Sequence, residues 1–523
     1  MRILKAASIL SLFMASAAQA QVSGLPANMD SIVAVKDSVP REWTFIGYSF
    51  TRATGTNVAP TNEILQGQVI GRLFGPNSTA TVGTVANYVE QRFVPYMVYR
   101  PAILDGFATF RTMFKIDYTW GDQAYGVGGN RGGGINAAQV NLQTLMANVD
   151  LHPKDAAWNV IVGLQRLYDN TYDAHNITLQ QALTSGYKLA FWGTNAVGVN
   201  LFGSIRPGVL GRVGFYELWE NLVAKNDDVV LFMSDVDTHL SPRLEAGVDA
   251  WYLRDRGEGA GGISILSQGL ASQLADYNGA TRLNIPTHYH ADIGWLGGRV
   301  AYNRDFLEGR WWADAFAIAN FGVVDTLAGG SFDKAANILG LAANASIAYR
   351  WGMTAGDKVW AEAIFTTGDE NGVSDGKVSS VITGNVWGSP VGIFGATGAF
   401  LLFPDPQVVN RYYSAVHDIS NMGLGVTGVS ANLARDWIPN RFNTQVGVAS
   451  ALSNVSLAGG GNYMGTEVNF EAKYNLKVFL TAGLSAAYLD LGDFYDAPGA
   501  TQAGTGRPAN PWTVFLSLSW LMF

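Results

Sequence analysis

The sequence predicts an all-β protein: a transmembrane antiparallel β-barrel of about eighteen strands, with sixteen also compatible with the pattern, and long extracellular loops. Three observations predict it. The chain opens on an export signal, it repeats stretches of about ten residues in which apolar and polar side chains alternate, and after the signal it has no run suited to a membrane-spanning helix.

The signal comes first. Arg2 and Lys5 precede an apolar run, Ala6 to Met14, and small residues then end in Ala18-Gln19-Ala20. That is the layout of a secretory signal peptide, and the run is too short to span a bilayer. Residues 1–20 are therefore expected to be cleaved, residues 21–41 to form an N-terminal extension, and residues 42–523 to form the barrel. No cysteine follows the cleavage site, so an acylated-cysteine anchor is not expected.

Composition narrows the class. Removing the signal takes away two bases and no acid, so 34 bases become 32 against 42 acids, a formal charge of −10. A nucleic-acid partner would want a basic face instead. With no cysteine, an exported chain must be held by burial or by a closed hydrogen-bonded sheet. The longest uncharged stretch after the signal, Val378 to Pro404, contains Gly384, Gly388, Pro390, Gly392, Gly395 and Gly398 and reads as loop. A closed barrel is the other structure that satisfies its own backbone in lipid.

The clearest strand runs Thr466 to Lys477. Val468, Phe470, Ala472, Tyr474 and Leu476 fall on one face; Glu467, Asn469, Glu471, Lys473, Asn475 and Lys477 fall on the other. A helix would scatter those charges, whereas a strand gathers them on one wet face. Thr109 to Trp120 repeats the rule, with Phe110, Phe114, Ile116, Tyr118 and Trp120 opposite Arg111, Lys115 and Asp117. Leu341 to Trp351, Lys358 to Thr367 and Ile293 to Asn303 follow it less cleanly. A tight periplasmic turn is expected at Asn475-Leu476-Lys477. The first strand is placed near Glu42–Thr51 and the last at Pro511–Phe523, where the even-numbered residues from Trp512 to Met522 form the more apolar, lipid-facing set. Arg206–Asp237 and the region before Val85 are poorly patterned. A soluble β-sandwich would also alternate, but its strands are normally shorter.

The last sixty residues resemble the end of the alginate-export-like family of outer-membrane barrels. The matching stretches are Gly465 to Tyr474, Leu480 to Gly483 and Tyr488 to Phe494, followed by a loop and a strand ending on Phe523. Gly163-Leu164-Gln165-Arg166 and the acidic loop Gly368 to Gly372 with Asp375-Gly376 are similar too. The resemblance implies a monomeric barrel of sixteen to eighteen strands that passes a polymer, an oligosaccharide or smaller solutes. Leu164 stands where that family usually has an arginine, and arginines are what would bind the carboxylates of a polyuronate.

The expected lumen path comprises Arg111, Lys115, Asp117, Gln165, Arg299, Arg350, Glu362, Glu467, Glu471 and Lys473. Mixed charge of this kind either sets a transverse field or simply hydrates a wide lumen. The segment from Thr367 to Met422 is too long for an ordinary connection and too aromatic for disorder, so it is expected either to fold into the mouth or lumen or to pack outward on its neighbours. Asp369, Glu370, Asn371 and Asp375 form an oxygen-rich group that could hold Ca²⁺ on an extracellular loop. His288, His290 and Asp292 share a strand face but lack a fourth zinc ligand. His417-Asp418 is the one adjacent His–acid pair, and no nucleophile elbow accompanies it, so no enzyme is expected. Otherwise no cofactor is expected.

The expected protein is thus a passive channel in the bacterial outer membrane. Its expected partners are membrane lipid and lipopolysaccharide, the barrel-assembly machinery, and small solutes or saccharides, with no nucleic acid. A diffusion porin, a polysaccharide exporter and a closed structural barrel remain distinct alternatives.

Overall fold

A pleated strand sends successive side chains to opposite faces, so a sequence of period two makes a wall with two different surfaces. The computed structural model describes residues 42–61, 69–75, 79–120, 141–170, 189–258, 288–303, 306, 308–382, 399–403, 405, 407, 409–416, 420–421, 423–501 and 506–522. The expected signal peptide, the N-terminal extension, His417-Asp418 and Phe523 lie outside the described residues.

The strands, in chain order, are β1 (Trp43–Pro60), β2 (Val69–Arg72), β3 (Thr79–Tyr99), β4 (Ala108–Thr119), β5 (Asn141–Leu151), β6 (Trp158–Asn170) and β7 (Leu189–Arg206). Next come β8 (Val209–Trp219), β9 (Val229–Ser241), β10 (Leu244–Asp255), β11 (Tyr289–Tyr302), β12 (Trp311–Ala328), β13 (Ser331–Arg350) and β14 (Lys358–Thr366). The chain finishes with β15 (Lys377–Val378), β16 (Arg411–Ser414), β17 (Val426–Ile438), β18 (Phe442–Ser453), β19 (Tyr463–Lys477), β20 (Leu480–Leu491) and β21 (Trp512–Met522).

The main sheet has 19 strands, of which the two-residue β15 is an appendage running parallel to β13. The other eighteen form a closed antiparallel barrel. Each pairs with the next, β14 pairs with β17, and β1 pairs with both β3 and β21. The seam runs from Gly47↔Met522 to Thr56↔Thr513. β2 and β16 form a separate parallel pair.

The outside is an exposed apolar belt, including Val197, Leu201, Val213, Leu339, Val429, Val446 and Leu516. Trp43, Trp158, Trp311, Trp437 and Trp520 are exposed near one rim, and Trp120, Tyr252 and Tyr488 near the other. Apolar belts between aromatic girdles are how barrels match a bilayer, so the wall is membrane-spanning. No described helix is long and apolar enough to cross.

One rim carries short connections such as residues 207–208, 242–243, 439–441 and 478–479; the other carries long ones such as 120–140, 256–288, 367–425 and 492–511. One long-rim connection departs from this. Gly329-Gly330 alone joins β12 to β13, with φ of 60° and 92°, a tight hairpin turn that glycine makes at little cost.

The alternating strands fall where the pattern puts them, several of them extended, β11 back to Tyr289 and β19 back to Tyr463, and with one shifted turn. β1 continues to Pro60 and β13 begins at Ser331. The turn after β19 is Val478-Phe479, two residues beyond the expected Asn475–Lys477, because Lys477 still pairs with Leu480. In β21 the even-numbered Val514, Leu516, Leu518 and Trp520 face outward.

Candidate functional site: a lumen crossed by one segment

The buried apolar core lies inside the ring. Leu401, Leu402, Phe403, Val416 and Leu424 are fully or almost fully buried, and all belong to the connection between β14 and β17. The described part of this connection crosses the lumen.

At its entry the Asp369 carboxylate closes a turn. It accepts hydrogen bonds from the Asn371, Gly372 and Ser379 N–H groups and from the Ser379 hydroxyl. β15 then lies along Asn337–Ile338 of β13. The Ile382 N–H donates to Asn320 Oδ1 on β12 (3.1 Å), and its carbonyl accepts from Trp295 Nε1 on β11 (2.9 Å). Three successive amides, Phe400, Leu401 and Leu402, donate to the Glu467 carboxylate on β19 at 2.8, 2.9 and 2.7 Å. Asp405 pairs with Arg52 of β1 at 2.6 Å. The Asn410 N–H donates to Glu90 of β3 (3.1 Å), Asn410 Nδ2 to Thr119 of β4 (3.2 Å), and Arg92 to the Val409 carbonyl (3.2 Å). β3 and β12 lie opposite each other in the ring, so the segment is tied to both sides of the lumen. β16 pairs with β2 within this assembly, and Ala415 and Val416 donate back to the Leu401 and Leu402 carbonyls.

Ion-pair systems line the wall. On β1, β3 and β4, Arg52 also reaches Glu90 at 3.2 Å, and Arg92 holds Asp117 through two bonds of 2.8 and 2.7 Å. Two parallel bonds fix the planar guanidinium in direction as well as position. On β8 to β11, Arg212 pairs with Asp235, which also accepts from Trp251 Nε1 at 2.8 Å; Arg299 bridges Asp237 and Asp249. Gly247 leaves the space that Arg299 occupies: a Cβ there would lie 2.5 Å from Arg299 Nε and from Asp237 Oδ1. A third group joins Arg111 to Asn148 (3.1 Å) and Asp150 (3.3 Å).

The expected lumen residues take unequal places. Lys115, Asp117, Arg299, Glu362, Glu467 and Glu471 are buried on the inner face. Glu362 accepts from Asn344 (3.1 Å), and Glu471 pairs with Lys473 (2.6 Å). Gln165 turns its amide onto the carbonyls of Ile161 and Gly198, around Gly163 at φ 120°. Arg350 donates to the Gly309 carbonyl at the short-turn rim (2.9 Å). Glu370, Asn371 and Asp375 are exposed, and the Asp375 carboxylate accepts the Lys377 N–H (3.0 Å). His288 and His290 both approach Glu258, at 2.8 and 3.8 Å, whereas Asp292 pairs with Arg256 (2.7 Å). Among the described residues, the acids whose oxygens converge enough to hold a metal are Glu217, Glu220 and Asp228.

The structure is similar to those of three Pseudomonas aeruginosa proteins. The outer membrane protein opdK is 10% identical, with 92% of this chain and 98% of that chain covered and a TM-score of 0.47. OpdL is 9% identical, with 92% and 99% covered and a TM-score of 0.46. OccK11 (OpdR) is 10% identical, with 92% and 96% covered and a TM-score of 0.43. No protein-family model and no curated protein matches the sequence.

Sequence reasoning missed Arg52, Glu90, Arg92, Arg212, Asp235 and Asp249. The first three lie on β1 and β3, whose inner faces also carry Ile46, Tyr48, Phe50, Val94, Tyr96 and Val98. With apolar side chains on both faces, those strands lack the period that marks the others. The available signal was the charge order itself: Arg52, Glu90, Arg92 and Asp117 each sit two or more whole pleats into a strand, where charge must face inward.

Proposed function

We propose that this chain is a channel of the bacterial outer membrane, exported through a cleaved signal peptide and inserted by the barrel-assembly machinery. It passes solutes or saccharides without energy coupling or cofactor, and the segment from Thr367 to Gly425 is its constriction. One observation carries the reading: a membrane-spanning ring encloses a charged interior, and a single connection is tied to opposite walls across it. Fixed carboxylates and guanidiniums beside such a constriction order water and select solutes by charge. Passage of an anionic polysaccharide, as in alginate-export-type barrels, is the finer reading. It rests on the C-terminal resemblance, while the pairing of Arg52, Arg92, Arg212 and Arg299 with acids favours a general or sugar-selective diffusion porin.

Planar-bilayer recording of the purified protein tests both levels. Stepwise conductance is expected. Concentration-dependent block by an oligouronate assigns polysaccharide passage, and indifference to it assigns general diffusion. Absence of any conductance from folded, heat-modifiable protein would overturn the channel reading.

A further inference from the structure

The outer wall is not uniformly filled. On β6 to β9, near the short-turn rim, a lipid-facing cavity of about 560 Å³ opens between Trp158, Leu201, Ile205, Val213 and Val236. Its origin lies in the register. Gly203 pairs with Gly211, and this row continues to Trp158 on one side and Val236 on the other. Two adjacent outward positions therefore carry no side chain of their own; the end of Ile205 folds over Gly211, and large apolar groups wall the rest of the groove. Pockets of roughly 300–1,000 Å³ are the size that holds a small ligand.

The mouth of the groove has a charge. Ile205 lines the groove, and the next residue, Arg206, ends β7 at the short-turn rim, is exposed, and pairs with no described carboxylate. Lys154, on the turn before β6, is engaged with Asp105 at 3.5 Å, so Arg206 is the cation this end of the groove offers. Trp158 lines the groove at the short-turn end of β6, a depth at which an indole bridges hydrocarbon and headgroup. An apolar slot in the bilayer with a cation at its aqueous end matches a molecule with a hydrocarbon tail and an anionic head.

We propose that this groove is a phospholipid site: one acyl chain lies along Ile205 and Gly203, between Trp158, Leu201 and Val213, and the phosphodiester sits against Arg206. The occupant comes from the leaflet on the short-turn side. A second copy of the chain would bring an apolar outer face with nothing to pair with the exposed Arg206, whereas an anionic headgroup on a hydrocarbon tail meets both the cation and the apolar walls. The site is independent of what the lumen carries and rests only on the barrel spanning a membrane.

The test is native mass spectrometry of delipidated, detergent-solubilised full chain titrated with 1-palmitoyl-2-oleoyl phosphatidylethanolamine. Wild type is expected to retain one lipid at concentrations where Gly211→Leu and Val213→Trp, which fill the slot, retain at least tenfold less. Gly211→Leu presses first on the flexible end of Ile205, and Val213→Trp keeps an exposed non-glycine position, so a folded variant is available even if one fails. Arg206→Glu should weaken retention severalfold while leaving the heat-shifted gel mobility unchanged. Equal retention by wild type and both filled variants, or none by wild type, overturns the proposal. So does a wild-type dimer that the filled variants disrupt, which would assign the face to a second copy.

Discussion

Replacing Glu467 with alanine should release the crossing segment without opening the wall. Glu467 is fully buried, and its carboxylate accepts hydrogen bonds from three consecutive amides at 2.7–2.9 Å. A buried donor left unsatisfied costs about 1–3 kcal/mol. Bonds on one carboxylate are not independent, so their joint loss is taken as about 3–5 kcal/mol, the range for stripping one partner from a buried charged group. The loss falls on the segment rather than the ring, because the pairing of Glu467 with Ala449 and Leu489 uses backbone groups. A shift of about 3 kcal/mol multiplies the population of detached segment by about a hundred. The chain has no native cysteine, so Leu402→Cys makes a single reporter at a site with 0% exposure. Maleimide labelling of that cysteine in vesicles should be at least tenfold faster with Glu467→Ala, and single-channel conductance should rise or become noisy. Gel mobility shift on heating should persist. Unchanged labelling and conductance in a folded variant would refute the anchoring role.

Three further outcomes are expected. Gly247→Ala drives a Cβ into Arg299 and Asp237 and should lower stability by about 1–3 kcal/mol, read as an earlier midpoint in a urea-dependent gel-shift assay. Val468→Arg places a cation on the lipid face of β19 and should cost about 2–4 kcal/mol in folding into lipid vesicles, depending on depth. At the long-loop rim, a hydrogen bond with Asp228 holds the exposed Glu220 carboxyl above its ordinary range. A carboxyl raised in the folded state favours its protonated form, so its contribution is full below the ordinary carboxylate value and fades as pH rises through the raised one. A spin label at Ala224 should therefore become more mobile on that rise, and Glu220→Gln should flatten the change.

The barrel was legible where one face met lipid and the other met charge. Val468 and Phe470 against Glu467, Asn469 and Glu471 left a single solution, and the same holds for β4, β11, β13 and β14. It was illegible where the inner face was itself apolar. Phe50 and Val94 are buried against the interior, so β1 and β3 carry apolar side chains on both faces and their charges escaped notice. On β8 and β9, Gly211 interrupts the outer apolar run, and Asp235 and Asp237 carry inner charges that only the Arg212 and Arg299 pairings explain. The length and aromatic content of the Thr367–Met422 segment left the mouth or lumen and outward packing as alternatives. Which wall group held it was not readable, because that depends on the depth at which Phe400 to Leu402 pass β19. Asp369 looked like a cation ligand for a related reason: a carboxylate that caps its own turn and one that waits for Ca²⁺ share a local sequence.

The seam between β1 and β21 sets an order of events in biogenesis. β21 is the last strand to leave the ribosome, and its partner β1 is the first, so the enclosure is finished only when the whole chain has been delivered. The parallel pair of β2 with β16 and the ties from Asp405 and Asn410 to β1 and β3 join early residues to late ones inside that enclosure. Once the wall has zipped shut, a strap on the inside has no route back to the outside except through the rims. A defect in the filling is therefore expected to show as slow maturation before it shows as altered permeability.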